Sequence, residues 1–184
     1  MAKICVFLAD GFEEVEGLTV VDLLRRANQE VTMVSVTHDL TIIGSHKIQV
    51  SADVLYDEMD YSDVDMIVLP GGMPGTNYLG EHKKLMNMVQ SFADDEDKWV
   101  AAICAAPSLL GNMGLLQGKK AVCYPGYENC LKGAEIADKK AVTDGHIITG
   151  RGVGCAIAFS LEIIEQLTDK QTAHEIKESI VYGH

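Results

Sequence analysis

Basic residues are scarce in this sequence. There are 15 Lys and Arg against 27 Asp and Glu, which gives a formal net charge of −12. Unassisted binding to nucleic acid or to an anionic membrane needs clustered positive charge, and the basic pairs here, such as Arg25-Arg26, are scattered among acids. We therefore expect neither a nucleic-acid nor a membrane partner.

Long apolar runs and paired cysteines are also missing. The first apolar run, residues 4–9, is too short for a signal-peptide core or a membrane span and ends at Asp10-Gly11. The five cysteines are an odd number without a C-x-x-C motif, which argues against a disulfide framework and a zinc site. No H-E-x-x-H, Walker A or G-x-G-x-x-G motif is present. These absences predict a cytoplasmic protein and leave zinc, nucleotide and dinucleotide binding without a positive signal.

Short apolar runs alternate with helical patterns along the whole chain. The patterns predict strands at 3–9, 30–36, 66–69, 99–103, 121–124 and 147–149, a hairpin over 41–50, and helices at 14–28, 81–92, 106–112, 155–167 and 170–181. Because the strands are continuously apolar rather than alternating, we expect a mostly parallel sheet covered on both faces. The prediction is one α/β domain, residues 1–184, with a doubly wound sheet and helices on both faces.

Three of the predicted strand ends carry unusual sequence. They are the acidic segment 10–16 (DGFEEVE), the glycine-rich segment 70–75 (PGGMPG) and the cysteine-containing segment 102–107 (AICAAP). None of the six histidines lies in these segments. Ligands of open parallel sheets bind beyond the carboxyl ends of the strands, so we expect the functional site here.

Cys104 carries the clearest signal of the three segments. It lies between a predicted strand and a predicted helix, with Ala102 and Ala106 two positions to either side and Pro107 suited to the first helical turn. This is the pattern of a nucleophile elbow. A cysteine at a helix N-terminus should have a lowered pKa, which favours the reactive thiolate. A buried structural cysteine is the ordinary alternative; it describes Cys5 well and is not excluded for Cys104 by sequence context alone.

Two further groups could complete a site around this cysteine. Gly71 and Gly72 follow a strand and could, with the N–H of Ala105, surround a developing oxyanion, although taken alone the glycines are better explained by a plain tight turn. Glu16 falls on the apolar stripe of the first helix, where burial would raise its pKa. Glu13 projects close to the same stripe, so spacing does not separate the two acids, and either could simply complement the helix dipole.

Taken in order, these segments resemble the ThiJ/PfpI superfamily, in its DJ-one branch. The similarity runs over nearly the whole chain through residues 9–16, 22–26, 68–72, 101–107 and 149–154. It implies a nucleophile at Cys104, a carboxyl partner at Glu16 rather than Glu13, and pocket-lining backbone at Gly72 and Ala105. It also implies a flavodoxin-like fold, shared with class I glutamine amidotransferases, and a homodimer without a cofactor.

The resemblance further implies an activity. Members of this branch are associated with cofactor-independent glyoxalase activity, protein deglycation, redox-sensitive chaperoning and protection against oxidative stress. The implied function is therefore a cysteine-dependent enzyme that acts on a small aldehyde or on a glycated protein. The alternative is a redox-responsive chaperone or sensor in which Cys104 is oxidised to sulfinate.

The chain departs from related patterns at several positions. The peptidase-like branch has a histidine directly after the nucleophile, where this chain has Ala105, and the His-x-Glu pair of glutamine amidotransferases is absent because Glu175 directly follows His174. No phosphate-binding motif supports a role in thiamine biosynthesis. Some glyoxalase-active relatives have a histidine before a proline where Tyr124 here precedes Pro125, so a Cys–His pair is not available at that position.

Overall fold

A computed structural model describes residues 1–183, and His184 lies outside the described residues. The helices and strands, numbered in chain order, are β1 (Lys3–Leu8), α1 (Glu14–Arg26), β2 (Glu30–Ser35), β3 (Thr41–Ile43), β4 (Gln49–Ser51), β5 (Val54–Leu55), β6 (Met66–Leu69), α2 (Gly75–Glu81), α3 (Lys83–Asp94), β7 (Trp99–Ile103), α4 (Pro107–Asn112), β8 (Lys120–Ala121), β9 (Glu135–Ile136), β10 (Ala141–Asp144), β11 (Ile147–Gly150), α5 (Ala156–Leu167) and α6 (Lys170–Ser179).

A seven-stranded sheet forms the centre of the fold. Its strand order is β10-β11-β7-β6-β1-β2-β5. Every neighbouring pair is parallel except β10 and β11, which are antiparallel. The chain leaves β1 in one direction to reach β2 and returns to the other side of β1 for β6 and β7. The predicted doubly wound, mostly parallel sheet is confirmed.

Alternate residues of the central strands face two separate apolar cores. In β1, Ile4 and Leu8 pack into the core beneath α1, α5 and α6, while Cys5 and Phe7 pack into the opposite core beneath α2, α3 and α4. All four side chains have at most 1% of their surface exposed. Burial on both faces explains why these strands read as continuous apolar runs.

The hairpin of β3 and β4 packs over the end of β1. The N–H of Gly11 donates to the carbonyl of Ile43 (2.7 Å), and the N–H of Ile43 donates to Asp10 Oδ1 (2.8 Å). The N–H of Ser45 donates to the carbonyl of Phe12 (2.8 Å). These bonds fix the acidic segment before α1 starts.

The helix predicted over residues 81–92 is α3, and a further helix, α2, precedes it without having been predicted. His82 has an extended backbone (φ −77°, ψ 90°), which ends α2, and its Nδ1 accepts from the N–H of Leu85 (3.1 Å), which caps α3. The predicted strand 121–124 is shorter, since only Lys120–Ala121 pairs, with β9. The strands β5, β9 and β10 were not anticipated from the sequence.

All five cysteines are free thiols. Cys5 and Cys123 are buried, whereas Cys104, Cys130 and Cys155 are partly accessible. Among residues 1–183, no helix has the length and apolar character needed to cross a membrane.

Candidate active site

The three unusual strand ends meet at one edge of the sheet. β1 and β6 are neighbours, with Val6 beside Val68, and β6 and β7 are neighbours, with Leu69 beside Ala102. All three strands run in the same direction, so the segments that follow them come together. This edge is also where the chain reverses direction across the sheet, which is the usual ligand position in doubly wound folds.

Cys104 follows β7 directly and has a left-handed backbone, with φ +66°. A residue other than glycine rarely adopts this conformation, because its Cβ approaches the following carbonyl. The surrounding structure holds it there: the Cys104 N–H donates to the carbonyl of Gly150 (2.9 Å), and its carbonyl accepts from the N–H of Tyr124 (2.8 Å). The sharp turn presents the thiol to a pocket beyond the sheet edge, in the geometry of a nucleophile elbow.

Glu16 reaches the same pocket from the first turn of α1. It has no exposed surface, and its Oε2 accepts a hydrogen bond from the N–H of Gly71 (2.9 Å). Its Oε1 is buried without a hydrogen-bond partner among the described residues. A Cβ added to Gly71 would lie 2.6 Å from Glu16 Oε2 and 3.0 Å from Cys104 Sγ, so the acid, the thiol and this glycine are in mutual contact.

The three predicted backbone groups have two different roles. The amides of Gly72 and Ala105 donate towards the Cys104 sulfur and favour its ionised form. The Gly71 amide does not join them, since it is used to hold Glu16. Gly72 has φ +93°, and a Cβ there would lie 2.3 Å from the amide nitrogen of Glu13, so this close approach requires glycine. Two amide donors thus face the sulfur, and a third fixes the acid.

Burial raises the pKa of both reactive groups. Burial raises the pKa of Glu16 to about 7, although hydrogen bonds from Cys104 and the Gly71 amide pull it down. Burial likewise raises the pKa of the Cys104 thiol to about 12, with a further increase from the negative charge of Glu16. The expectation that a helix N-terminus lowers the Cys104 pKa is wrong. α4 has only six residues and begins at Pro107, whereas burial acts on the thiol directly and is the largest influence on its pKa.

The two groups act as a coupled pair. A thiol beside a carboxylate and a thiolate beside a carboxylic acid hold the same number of protons, so a shift of one proton interconverts them. When Glu16 takes the proton, its charge no longer opposes a thiolate, and the Gly72 and Ala105 donors remain. The arrangement can therefore generate a thiolate and a neutral acid together.

The neighbouring acids of α1 have separate surroundings. Glu13 lines the pocket. Glu14 is buried and accepts hydrogen bonds from the backbone N–H of His46 (2.8 Å), from Ser45 Oγ (3.2 Å) and from His46 Nδ1 (3.0 Å). Burial alone would raise the pKa of Glu14, but hydrogen bonds of this kind hold it at about 2. Within residues 1–183, Glu13, Glu14 and His46 are the one group whose potential metal-ligating atoms lie within 4.8 Å of one another. Glu14 is already saturated by the hairpin, which fits a structural role.

Sequence reasoning missed the outer wall of the pocket. The cavity beside Cys104 has a volume of about 250 Å³, and its wall includes Tyr124, Tyr127, Met73 and Val153. Three of these side chains are large, apolar and about half exposed: Met73 (46%), Tyr124 (47%) and Val153 (45%). They lie in loops, where neither apolar periodicity nor a motif identifies a pocket residue. The one usable signal is the Tyr-Pro-Gly-Tyr turn at residues 124–127.

Comparison with known proteins identifies close similarities. The model of the DJ-1/PfpI family matches residues 2–166. The chain is 38% identical over 181 residues to Protein DJ-1 homolog B of Arabidopsis thaliana, covering 97% of this chain but only 41% of that relative. It is 27% identical over 189 residues to the glutathione-independent glyoxalase DJ-1 of Schizosaccharomyces pombe, covering 98% of each chain. The structure of oxidised Toxoplasma gondii DJ-1 superposes with a TM-score of 0.95 at 34% identity, covering 100% of both chains.

Proposed function

The chain belongs to the DJ-1/PfpI family, and from this membership we propose that it is a cofactor-independent glyoxalase that converts 2-oxoaldehydes into 2-hydroxy acids. The resemblance stated from the sequence is thereby confirmed at the level of the family. One observation carries the proposal: the buried carboxyl of Glu16 adjoins the Cys104 thiol, and two backbone amides face the sulfur. The set contains a nucleophile, a group that transfers protons and donors for an oxyanion.

The reaction begins with addition of the Cys104 sulfur to the aldehyde carbon. The thiol proton moves to the Glu16 carboxylate as the C–S bond forms, and the electron pair of the C=O bond moves to the oxygen. In the proposed step the amides of Gly72 and Ala105, which donate towards the sulfur, stabilise that oxyanion. Glu16 then returns the proton to the oxygen, and the product is a hemithioacetal.

The same carboxylate then moves a proton between neighbouring carbons. Glu16 removes the proton from the former aldehyde carbon, which gives an enediolate. The hydroxyl proton on the former aldehyde oxygen passes to the neighbouring oxygen, and Glu16 delivers its proton to the adjacent carbon. The result is a thioester of a 2-hydroxy acid, and water cleaves its C–S bond to release the acid and the thiol of Cys104. One carbon is oxidised while its neighbour is reduced, so the sum is the addition of one water and needs no external oxidant.

Early adducts of these aldehydes on proteins are a second proposed substrate class. A hemiaminal on a lysine amine holds the aldehyde carbon with one C–N bond, and loss of the amine regenerates the free aldehyde for the same path. The open rim of the pocket, formed by side chains that are about half exposed, is compatible with such a substrate. The proposed compartment is the cytoplasm, where free thiols persist, and the proposed assembly is a homodimer.

Glutathione-free turnover tests the proposal. Purified protein should consume methylglyoxal and form lactate, whereas Cys104→Ala and Glu16→Gln should both lose this activity. Cys130→Ala is the matched control, because Cys130 is also a partly accessible free thiol and lies outside the pocket lining. Equal lactate formation by the wild type and Cys104→Ala would refute the assignment.

A redox-responsive role is the second candidate, and the donors around the sulfur favour it. Two peroxide molecules would each transfer one oxygen to the thiolate and leave as water, giving a sulfinate. The amides of Gly72 and Ala105 and a protonated Glu16 could donate to its oxygens. Methylglyoxal turnover and suppression of client aggregation, both measured before and after graded peroxide, separate the two roles. A gain of holdase activity in a protein that never consumes aldehyde would favour the redox role.

A further inference from the structure

The pocket beside Cys104 has an apolar wall that the chemistry does not require. The proposed reaction uses Cys104, Glu16 and two backbone amides, all on the sheet side of the cavity. The outer side carries Tyr124 and Tyr127 together with other large apolar side chains. Apolar groups gathered around a cavity mark a surface that binds an apolar group.

Tyr124 is connected to Cys104 through the backbone, and its ring lies against a glycine. The Tyr124 amide donates to the carbonyl of Cys104 itself (2.8 Å). On its other side the ring lies against Gly152, where an added Cβ would be 3.2 Å from Tyr124 Cδ2 and 3.7 Å from Cε2. Tyr124 therefore lines the same cavity as Cys104, with its backbone bonded to that of the cysteine.

Tyr127 adds a second ring at a steep angle to the first. Its amide donates to the carbonyl of Tyr124 (3.1 Å), across a turn in which Gly126 has φ +99°. The two ring centroids are 6.5 Å apart, and the ring planes meet at 75°. Such an aromatic corner can contact a flat guest by offset stacking on one ring and by an edge-to-face contact with the other.

The volume of the cavity also favours a substrate with a large apolar group. At about 30 Å³ for each water in the liquid, a cavity of about 250 Å³ holds about eight waters. Methylglyoxal would fill only part of this space. A larger apolar group on the ketone carbon would displace the remaining water and bury its surface against the tyrosines, which is favourable in proportion to the area buried.

We propose that the pocket selects 2-oxoaldehydes that carry an aromatic or similarly bulky apolar group, and that Tyr124 and Tyr127 determine this specificity. The inference rests on the proposed glyoxalase function and adds the substrate class to it. It also gives Tyr124 a positive role at the position where some relatives place a histidine. The tyrosine binds the substrate side chain instead of taking part in proton transfer.

The test compares kcat/KM for phenylglyoxal and methylglyoxal in the same preparations. The wild type should favour phenylglyoxal by about tenfold or more, which is the usual range for an added apolar group in a pocket. Tyr124→Ala and Tyr127→Ala should each reduce that ratio severalfold. Tyr124→Phe keeps the ring and should keep the ratio. Tyr78→Ala is the matched control, since Tyr78 is 45% exposed and does not line the cavity.

The possible outcomes distinguish failure of the proposed specificity from failure of the proposed glyoxalase function. Cys104-dependent turnover of both aldehydes, with the same ratio in Tyr124→Ala, Tyr127→Ala and the wild type, would overturn the inference and leave the glyoxalase function intact. Absence of turnover of either aldehyde by the wild type would overturn the proposed function together with the inference. Loss of the preference in Tyr124→Phe would also count against the inference, because it would assign the selectivity to the hydroxyl group.

Discussion

Glu16→Gln separates the electrostatic role of Glu16 from its role in proton transfer. Glutamine has nearly the same shape as glutamate, and its amide oxygen can still accept from the Gly71 N–H. It carries no charge at any pH and cannot pass a proton between substrate atoms. In the wild type, the ionised Glu16 raises the pKa of Cys104 both by its charge and as a hydrogen-bond acceptor. The substitution should therefore make the thiol more acidic while it stops aldehyde turnover.

The size of both effects follows from the contacts. A hydrogen bond to a charged group is worth about 1.5–3 kcal/mol, which corresponds to about one to two pKa units. Above pH about 7, where Glu16 is ionised, the thiolate fraction of Glu16→Gln should exceed that of the wild type by about 10- to 100-fold. Below that pH the wild-type carboxyl is neutral too, so the two proteins should converge. Turnover should fall by about 10²–10⁴-fold, the usual contribution of a general acid–base group.

The assay is the rate of iodoacetamide alkylation of Cys104 as a function of pH, followed by intact mass, with aldehyde turnover measured on the same samples. Glu13→Gln is the control, since it removes a charge from the same end of α1 but not the hydrogen bond to Cys104. Its profile should stay close to the wild type. The reasoning is refuted if Glu16→Gln alkylates more slowly than the wild type above pH about 7, because Glu16 would then be supporting the thiolate rather than opposing it.

Four further predictions test the supporting structure. Gly71→Ala should abolish turnover, because the added Cβ would lie 2.5 Å from Cys104 Cβ. Gly154→Ala should retain turnover, because there is open space around Gly154. Equal activity of the two variants, compared in preparations with matching near-UV circular dichroism spectra, would contradict the geometry. Glu14→Ala should lower the unfolding free energy at neutral pH by about 1.5–3 kcal/mol. The pKa of Glu14 in the folded state, about 2, lies below its ordinary value of 4.5. The extra stability of the wild type is therefore present above pH about 4.5 and disappears as the pH falls towards about 2. Urea titrations in which the wild type and Glu14→Ala differ by the same unfolding free energy at every pH would argue against this. Iodoacetamide should label Cys104 before Cys5, because Cys5 is fully buried whereas Cys104 is partly accessible. Peptide mapping that finds the reverse order would rule this out. Sedimentation should give twice the 20.0 kDa mass of the chain, while a concentration-independent mass of one chain would exclude the homodimer.

The parts of the fold that the sequence predicts well are those buried on both faces. Apart from Lys3 at the start of β1, the strands β1, β6 and β7 consist of apolar residues without interruption, and nearly all of these are buried. The strands that escaped prediction are short and incompletely buried, such as Val54–Leu55 and Glu135–Ile136. Their pairing depends on the neighbour that tertiary structure supplies rather than on their own pattern. The helix Gly75–Glu81 was missed for a related reason, since two glycines weaken its local signal.

The sequence predicts where the candidate site lies, but not the pKa values of its groups. Strand ends and topology place Cys104 and Gly72 at the same edge of the sheet. They do not distinguish Glu16 from Glu13, because that difference depends on which carboxylate meets the Gly71 amide. Nor does the sequence show how deeply the Cys104 thiol is buried, which is the largest influence on its pKa. The local sequence pattern places Cys104 next to the N-terminus of a helix, but only the folded structure shows that its thiol is removed from solvent.

The left-handed backbone of Cys104 has a consequence for how this position can evolve. Every residue except glycine occupies that conformation at a cost of about 1–2 kcal/mol, out of a net stability of about 5–15 kcal/mol for a typical domain. Selection for stability alone therefore works against the φ of +66° at a cysteine and favours glycine. A library of random mutants that is selected only for folding should accumulate Cys104→Gly. Such variants should gain folding stability and lose the proposed nucleophile. The thiol persists at this turn only while its reactivity contributes to fitness.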